Sequence, residues 1–433
     1  MDYRQSLDFL FPLHRFGIKP GLERIEALLD VLGHPERRLG TVVHLAGTNG
    51  KGTVASCMAS IFTASGRKTG LFTSPHLIDF TERIRINGKP ISQERVAEYC
   101  TKLESVVVEL GATFFEVTTA MAFAYFADEG VDAAVIETGM GGRLDATNVV
   151  KSDIVIIPSI GLEHTEWLGE SLAEIAGEKA AIIKPGSRVF TAVAAEEALE
   201  PIRLAASRQN TELHQASEAR CETVAVRPGR LDLEITLAGE MAHRITAQLT
   251  GSFHASNVAL ALMAARSEGI GWPQIEVGLA DLRRTGYRAR LERLPGLPSV
   301  MLDVSHNPGG MARTVEALLE VRGSFRSLRV LLGVASDKDA AGIVRQLVAI
   351  ADEVVAVPLP FARSVAAAEL AEVCRQAGVA RVESCDTAGE GLNFLFSNAG
   401  VDDLIFVTGS FYLAGEVAGM KRFWLGSNET GSI

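Results

Sequence analysis

The sequence has little of what marks secreted, membrane-spanning or nucleic-acid-binding proteins. Its 433 residues include only five cysteines, none of them in a CxxC pair, so neither a disulfide framework nor a zinc site is expected. No uninterrupted apolar run approaches the roughly 18 residues of a membrane-spanning helix. Basic residues number 42 against 53 acidic ones, and the net charge of -11 argues against a broad nucleic-acid or anionic membrane partner. We therefore expect a cytoplasmic protein of the size of an enzyme, for which the net charge does not exclude a small anionic ligand.

What the chain does have is length and apolar residues. Its 433 residues and 47% hydrophobic content suit two or three domains with packed cores. Short runs that are apolar almost throughout alternate with helical patterns, which is typical of parallel strands covered on both faces. The sequence therefore predicts an α/β fold with a largely parallel sheet in each half. The predicted strands are residues 42–46, 69–73, 133–137, 154–159, 188–193, 299–304, 329–334, 353–357 and 404–408.

Two changes in the residue pattern divide the chain. Residues 222–249 alternate more strictly between apolar and polar side chains, and predict a small antiparallel appendage. The polar stretch 283–286 predicts a boundary between a domain at 1–285, which includes the appendage, and a smaller Rossmann-like α/β domain at 286–433. Two such domains would enclose a cleft, where ligands tend to bind.

The strongest functional signal is the segment LAGTNGKGT at residues 45–53, between a predicted strand and a helical pattern. Glycines let the backbone approach a ligand, and a helix N-terminus directs its N–H groups at an anion. Lys51 is placed to reach outer phosphates and Thr53 to offer its hydroxyl to Mg²⁺. The segment thus predicts a P-loop ATPase-like domain. Its GxxGKGT spacing departs from GxxxxGK[ST], and a tight turn with an incidental lysine is the alternative.

Two further loops follow predicted strands. Glu137 ends one strand before a glycine-rich loop, which is where an α/β enzyme places a metal ligand. The alternative is a carboxylate that only caps the strand. His164 lies in the loop after the next strand, and by itself a packed or capping histidine is the more common interpretation.

Lys179 can join these residues only under a geometric condition. It follows His164 by fifteen residues, which on one straight helix would be about 22 Å. The two share a site only if His164 lies in a loop and a helix from about residue 171 folds back, a break that Gly169 permits. A free ammonium repels Mg²⁺, so by itself Lys179 is interpreted as a surface lysine.

Together these segments resemble the folylpolyglutamate synthase/dihydrofolate synthase family, which is akin to the Mur ligases. The resemblance covers essentially the whole chain, with the motifs in the order of the family. They are LAGTNGKGT at 45–53, FTSPHL at 72–77, ERIRING at 82–88, FFE at 114–116, IETGMGGRLDATN at 136–148, EHTEWLG at 163–169, GEKAAIIKPG at 177–186, LDVSHNP at 302–308, SDKD at 336–339 and TGSFYLAGE at 408–416.

The resemblance implies roles for particular residues. Those that bind the ATP phosphates would be Thr48, Asn49, Gly50, Lys51, Gly52 and Thr53. Those that hold Mg²⁺ would be Thr53, Ser74, Glu137, His164 and Lys179. Lys179 would first react with CO₂, because a carbamate is an anionic oxygen donor where an ammonium is not. Lys51, His164 and Lys179 would thereby act in catalysis.

Further roles concern the nucleotide and the pterin. Asn257, Arg290 and Asp303 would grip the nucleotide, Asp303 through the ribose, and domain closure would complete the ATP site. His306 matches another functional, catalytic position. The pterin would be bound by Phe115, Glu116 and Asp145, near residues 16–20, 115–116 and 144–146. Departures from the family pattern are Glu163 in place of aspartate, Ala289 in place of glycine before Arg290, and a loose HASN signature at 254–257.

The activity implied is ATP-dependent addition of L-glutamate to dihydropteroate, to a (tetrahydro)folate or to both, through an acyl phosphate. One or two Mg²⁺ ions, a monovalent cation and a monomeric enzyme are also implied, with no nucleic-acid or membrane partner. Three alternatives stay open: a Mur-type ligase with another acceptor, a P-loop switch that hydrolyses ATP to drive a partner, and a catalytically inactive binding protein.

Overall fold

The computed structural model describes residues 1–16, 20–361 and 363–420 of the chain. These residues form two compact units. The first comprises Met1–Glu222, Glu234–Ala247 and Ala255–Tyr287, and the second comprises Thr223–Leu233, Gln248–His254 and the residues from Arg288 onward. The predicted division into domains at 1–285 and 286–433 stays a prediction. The second unit also takes two short segments from the predicted first domain.

An eight-stranded sheet forms the framework of the first unit. Its strands are β1 (Thr41–Leu45), β2 (Thr69–Phe72), β3 (Ile84–Ile86), β4 (Lys89–Pro90), β5 (Ala133–Glu137), β6 (Ile154–Ile157), β7 (Arg188–Thr191) and β8 (Leu213–Gln215). Their order is β4-β3-β2-β5-β1-β6-β7-β8, and the neighbours from β2 to β8 run parallel. Because parallel strands end at the same edge, the loops after β2, β5, β1 and β6 meet there. Every residue of β2, β5 and β6 is buried, as their apolar sequences predict.

Ten helices belong to the described part of this unit. They are α1 (Tyr3–Leu10), α2 (Glu23–Val31), α3 (Lys51–Ala64), α4 (Gln93–Leu110), α5 (Phe114–Asp128), α6 (Thr165–Leu168), α7 (Leu172–Ala180), α8 (Glu196–Arg208), α9 (Ala255–Ser267) and α10 (Trp272–Ala280). α3 packs against α9 and α10, and α5 packs against α2 and α4. Both central helices are therefore buried almost all round, which explains why neither has a polar face.

A six-stranded sheet lies in the second unit. Its strands are β12 (Glu292–Leu294), β13 (Ser299–Leu302), β14 (Leu328–Leu332), β15 (Glu353–Ala356), β16 (Val382–Ser384) and β17 (Leu404–Thr408). The three strands that precede them in the chain form a separate three-stranded sheet: β9 (Arg220–Arg227), β10 (Arg230–Thr236) and β11 (His243–Ala247). The order is β12-β13-β17-β14-β15-β16, parallel except for β12. The helices are α11 (Pro308–Val321), α12 (Ala340–Leu347), α13 (Ala367–Gln376), α14 (Ala388–Asn398) and α15 (Phe411–Gly419).

The predicted fold class is confirmed: two α/β sheets and a small antiparallel sheet. Each predicted strand is found to within two residues at either end. The strands that sequence inspection missed, β3, β4, β8, β12 and β16, have at most three residues, too few to show an alternation. In the described ranges, no helix combines the length and hydropathy needed to cross a bilayer.

Candidate active site

The phosphate-loop prediction corresponds to a real strand–loop–helix unit. β1 ends at Leu45, and α3 begins at Lys51. Gly50 precedes the helix with φ of 88°, a left-handed conformation that only glycine adopts without strain. A Cβ there would lie 2.8 Å from Oδ1 of Asn257, so the structure brings Asn257 of α9 against this loop. The helix N-terminus and its N–H groups are thus presented at the carboxyl edge of the sheet.

Contacts with the loop after β6 hold the phosphate loop in place. The N–H of Thr48 donates to the carbonyl of Ser159 at 2.9 Å, and the Thr48 hydroxyl donates to the carbonyl of Gly161 at 3.0 Å. Asn49 N–H donates to the Ser159 hydroxyl at 2.9 Å. Lys51 curls back, and its Nζ donates to the carbonyl of Gly47 at 2.7 Å. The Lys51 ammonium is therefore held against the backbone of the loop that is predicted to bind phosphate.

Thr53 has a partner that sequence analysis did not identify. Its side chain is buried, and its hydroxyl lies 3.1 Å from the hydroxyl of Tyr287. Tyr287 follows the polar stretch at 283–286 that was interpreted only as a boundary. Nothing in its local sequence distinguishes it from a core tyrosine. The contact depends on α3 packing beside the segment after α10, a tertiary arrangement.

Glu137 and Ser74 are brought together by neighbouring strands. Glu137 is the last residue of β5 and is only 4% exposed. Its Oε2 accepts a hydrogen bond from the N–H of Ser74 at 3.2 Å. The next residue, Thr138, donates its N–H to the carbonyl of Leu45 at 2.9 Å, which ties the start of this loop to the end of β1. A buried carboxylate therefore lies beside the phosphate loop.

The geometric condition for Lys179 is met. His164 adopts a left-handed conformation with φ of 48° before α6, and Gly169, with φ of 106°, ends that short helix. Ser171 then caps α7, which carries Lys179 back toward the loop. The Lys179 Nζ donates to Oε1 of Glu163 at 2.7 Å and to the carbonyl of Gly47 at 3.1 Å. Lys179 thus contacts both the residue before His164 and the phosphate loop.

The interpretation of Lys179 as a surface lysine is wrong. Its side chain is 1% exposed, because α7 places it against Gly47 of the phosphate loop. Burial lowers the pKa of Lys179, and the nearby Glu163 carboxylate only partly opposes that shift. Burial alone would raise the pKa of Glu163, but the charges of Lys179 and Lys51 outweigh it and the pKa is lowered. Glu163, noted in the sequence only as a departure from the pattern, is therefore the ion-pair partner of Lys179.

A cavity of about 420 Å³ lies beside this cluster in the first unit. Ser74, Phe115, Glu116 and Asp145 line it, so three residues predicted to bind pterin line the same cavity as a predicted metal ligand. The Phe115 ring packs so closely on Gly139 that a Cβ there would lie 2.6 Å from its Cζ. The loop after β5 therefore shapes both the cavity and the carboxylate position.

The two carboxylates of the cavity are fixed by different partners. Glu116 caps α5 by accepting from the N–H of Thr113 at 2.7 Å, and pairs with Nε of Arg24 at 2.9 Å. Asp145 is buried, which raises its pKa, although Oδ1 accepts from the Thr147 hydroxyl at 2.5 Å. Thr147 in turn lies 2.8 Å from Nε2 of His44, a residue of β1. Arg24, Thr147 and His44 were not identified from the sequence, because their local patterns resemble ordinary helix, turn and strand positions.

Not every predicted pterin residue can be placed. Leu144 and Ala146 line the cavity with Asp145. The predicted region 16–20 falls mostly outside the described residues, since 17–19 are not described and the side chain of residue 16 is not either.

Two predicted nucleotide residues, Arg290 and Asp303, belong to the second unit, together with the predicted catalytic residue His306. Asp303, just after β13, accepts from the N–H of Leu291 at 3.1 Å and from the N–H of Ser305 at 2.9 Å. His306 lies with its Nδ1 2.9 Å from the carbonyl of Val304, and burial lowers its pKa. The ring of Phe411 lies 5.7 Å from the His306 ring and 5.9 Å from the Arg290 guanidinium. Phe411 was part of a quoted motif but had no predicted role.

The donor set at the carboxyl edge fits a hard divalent cation. Within the described residues, no three His, Cys, Asp or Glu side chains cluster as a metal site. The predicted ligands instead are the Glu137 carboxylate, the hydroxyls of Thr53 and Ser74, the ring of His164 and a carbamate on Lys179, and the N–H of Ser74 contacts Glu137. Oxygen donors of this kind suit Mg²⁺ or Mn²⁺ better than a thiol-rich or histidine-rich site would.

Comparisons with known proteins point in one direction. Residues 45–265 match the Mur ligase middle domain, and residues 289–411 match the Mur ligase glutamate ligase domain. The chain is 33% identical over 428 residues to a dihydrofolate synthase/folylpolyglutamate synthase from Bacillus subtilis, covering 96% of this chain and 98% of that protein.

Solved structures agree with these sequence matches. A Mycobacterium tuberculosis folylpolyglutamate synthase, solved with ADP and AMPPCP, superposes with a TM-score of 0.86 at 33% identity, covering 97% of this chain and 99% of the other. A bifunctional folylpolyglutamate synthase/dihydrofolate synthase with Mn, AMPPNP and L-glutamate bound superposes with a TM-score of 0.82 at 28% identity, covering 97% and 98%.

Proposed function

Because this chain belongs to the folylpolyglutamate synthase/dihydrofolate synthase family of the Mur ligase superfamily, we propose that it uses ATP to join L-glutamate to dihydropteroate or to a reduced folate. One observation carries the proposal. Ser74 lines the 420 Å³ cavity and also donates to Glu137 beside the phosphate loop. An acid bound in that cavity would therefore present its carboxylate next to the phosphates.

The chemistry must make an inert carboxylate reactive. An oxygen of the acceptor carboxylate attacks the γ-phosphorus of ATP, ADP leaves, and an acyl phosphate forms. The α-amine of L-glutamate then attacks the acyl carbon, the amine loses a proton, and inorganic phosphate leaves as the amide forms. Lys51 and the N–H groups at the start of α3 stabilise the negative charge that moves between these oxygens.

We assign metal binding to Thr53, Ser74, Glu137, His164 and a carbamate on Lys179. A bound Mg²⁺ or Mn²⁺ would neutralise negative charge on the phosphate oxygens. A relative with Mn and AMPPNP bound supports this assignment. Glu137 offers its carboxyl oxygens from a buried strand end, where electrostatic interactions with a cation are stronger than at the surface.

We also propose that Lys179 is carbamylated. Its neutral amine would attack CO₂, an N–C bond would form, and one proton would leave to solvent. Burial favours this reaction because it lowers the pKa of the lysine and so increases the neutral fraction. The resulting carbamate would carry a negative charge beside Gly47, where the ammonium now donates.

The acceptor would be held by the cavity residues. Phe115 offers an aromatic face, Glu116 and Asp145 offer carboxylate oxygens, and Leu144 provides an exposed apolar edge. A pterin ring has both a flat apolar face and a row of N–H donors, so these groups match its chemistry. Asp145 is fixed by hydrogen bonds from the loop, which pre-organises its oxygens.

The remaining assignments follow the family. We propose that Asn257, Arg290 and Asp303 bind the nucleotide and that His306 acts in catalysis. A second divalent ion, a monovalent cation, a monomeric state and a cytoplasmic location are likewise proposed. Five free cysteines, three of them buried, agree with a reducing compartment.

A product assay tests the function and separates the alternatives. Labelled L-glutamate and ATP are incubated with dihydropteroate, tetrahydrofolate or a UDP-linked peptide precursor, and the products are identified by mass. We expect a glutamate adduct with one or both pterin acceptors. An adduct with the UDP-linked acceptor alone would indicate a different Mur-type ligase. ATP turnover that needs no glutamate would indicate a switch, and no turnover would indicate a binding protein.

A further inference from the structure

A buried histidine of β1 is linked to the acceptor cavity through two hydrogen bonds. His44 has no exposed surface, and its Nε2 lies 2.8 Å from the hydroxyl of Thr147, which is also fully buried. That hydroxyl donates to Oδ1 of Asp145 at 2.5 Å. Asp145 in turn lines the cavity of about 420 Å³. No step of the proposed reaction uses His44 or Thr147, so the reason for this buried polar chain is open.

The direction of the two hydrogen bonds follows from the number of donors. The Thr147 hydroxyl has a single hydrogen, which it donates to the Asp145 carboxylate. Its oxygen can therefore only accept from His44, so Nε2 must carry a hydrogen. Nδ1 is then a bare acceptor, and it is buried without a hydrogen-bond partner among the described residues.

The opposite direction would require a protonated Asp145. Backbone N–H groups oppose this, because Met140 donates to Oδ2 at 2.9 Å and Thr147 donates to Oδ1 at 3.0 Å. Burial raises the pKa of Asp145, and each of these hydrogen bonds acts against that rise, as does the Thr147 hydroxyl. The hydrogen bond from the hydroxyl thus favours the ionised carboxylate.

His44 is suited to hold that hydroxyl in place. Burial, with a smaller effect from the charge of Lys184, lowers the pKa of His44 to about 3, so the ring is neutral and carries one hydrogen. A hydroxyl hydrogen is otherwise free to rotate about its C–O bond. Donation from Nε2 occupies a lone pair of the Thr147 oxygen and leaves its hydrogen directed at Asp145.

We propose that His44 is a positioning residue for the acceptor, which acts through the Thr147 hydroxyl to hold the Asp145 carboxylate in the orientation that the N–H donors of a pterin require. This inference rests on the proposed function, because it needs a pterin acceptor in the cavity. His44 itself has no exposed surface and contacts no ligand, whereas Asp145 belongs to the cavity lining.

Steady-state ligation by variants of the full chain tests the positioning role. His44→Leu removes the donor, and we expect the KM for the pterin acceptor to rise by about tenfold while kcat and the KM for ATP stay within about twofold. His44→Gln keeps an amide N–H of similar reach and should restore most of the affinity. Thr147→Val should match His44→Leu, and the double variant should be no worse than either, because both changes break the same chain of hydrogen bonds.

Val43→Ala provides the control for a purely structural effect. Val43 is also fully buried in β1, so its truncation should destabilise the fold. Both KM values should nevertheless stay unchanged. An equal rise in acceptor KM for Val43→Ala and His44→Leu, or a His44→Leu variant that folds and has an unchanged acceptor KM, would overturn the proposal.

A spectroscopic measurement needs no ligase activity and no substitution that endangers folding. Histidine ¹⁵N NMR on the full chain reports which ring nitrogen carries the hydrogen, and the His44 signal is the one lost in His44→Gln. We expect hydrogen on Nε2 and a bare Nδ1, and hydrogen on Nδ1 would overturn the proposal. A wild-type chain that forms no adduct with any pterin would refute the proposed function as well, whereas an active wild type with an indifferent His44→Leu would refute the positioning role alone.

Discussion

Replacing Gly50 with alanine tests whether the phosphate loop depends on its backbone conformation. Gly50 has φ of 88°, and a Cβ there would lie 2.8 Å from Oδ1 of Asn257 and 3.2 Å from Cβ of Pro158. The left-handed conformation costs alanine about 1–2 kcal/mol, and the close contacts add about 1–3 kcal/mol. Because the loop must move to relieve these contacts, we expect kcat/KM to fall by about a hundredfold. Chemical denaturation and steady-state ligation measure the two effects.

Gly66 supplies the matched control. Its φ is 90°, yet a Cβ there meets nothing within 4 Å. Gly66→Ala should therefore cost only the conformational part, about 1–2 kcal/mol, with ligation retained. The double variant Gly50→Ala/Asn257→Ala should be more stable than Gly50→Ala alone, because the close contact with Asn257 is removed, but it should not regain activity. Equal destabilisation by Gly50→Ala and Gly66→Ala, with full activity in both, would refute the reasoning.

Three other changes have expected outcomes. Lys51→Met should lower kcat by at least about a hundredfold, while the unfolding free energy changes by about 1 kcal/mol or less, since the lost bonds are part-buried contacts to its own loop. A near-normal kcat would contradict the phosphate role. Asp145→Asn should raise KM for the pterin acceptor and destabilise the fold by about 1–3 kcal/mol. Each carboxylate oxygen of Asp145 accepts from a backbone N–H, so the NH₂ of asparagine would have to face one of these donors. An unchanged acceptor KM in a saturation assay would exclude Asp145 from the site. Burial lowers the pKa of His44 and of His254 to about 3. As the pH falls below about 6.5, these histidines are protonated in the unfolded chain but not in the folded one. The free energy of unfolding should therefore drop by about 1.4 kcal/mol per pH unit for each histidine, down to about pH 3. Denaturation curves of His44→Gln should show a shallower pH slope, and an unaltered slope would show that His44 is not buried neutral.

Sequence patterns predicted the parts of the candidate site that depend on local structure. Residues 45–53 and the strand ending at Glu137 carry their own signals, because a strand, a glycine turn and a helix start are each written in consecutive residues. The position of His164 relative to Lys179 could be stated as a condition, and Gly169 indeed breaks the helix between them. The family resemblance was also correct, and the relatives confirm it.

What the sequence could not supply were contacts between distant segments. Tyr287 reaches Thr53, and Arg24 reaches Glu116, only after the helices pack. The burial of Lys179 has the same origin, since an isolated lysine on an amphipathic helix is normally solvated. The contact of His44 with Thr147 was missed because the two residues lie 103 positions apart in the chain.

The central claim is that ATP activates the acceptor acid by phosphorylating its carboxylate. The most direct measurement supplies dihydropteroate with ¹⁸O in the carboxylate, together with ATP and L-glutamate, and follows the label by mass. The account predicts one ¹⁸O in each inorganic phosphate released per amide formed. Amide formation with unlabelled phosphate would contradict it.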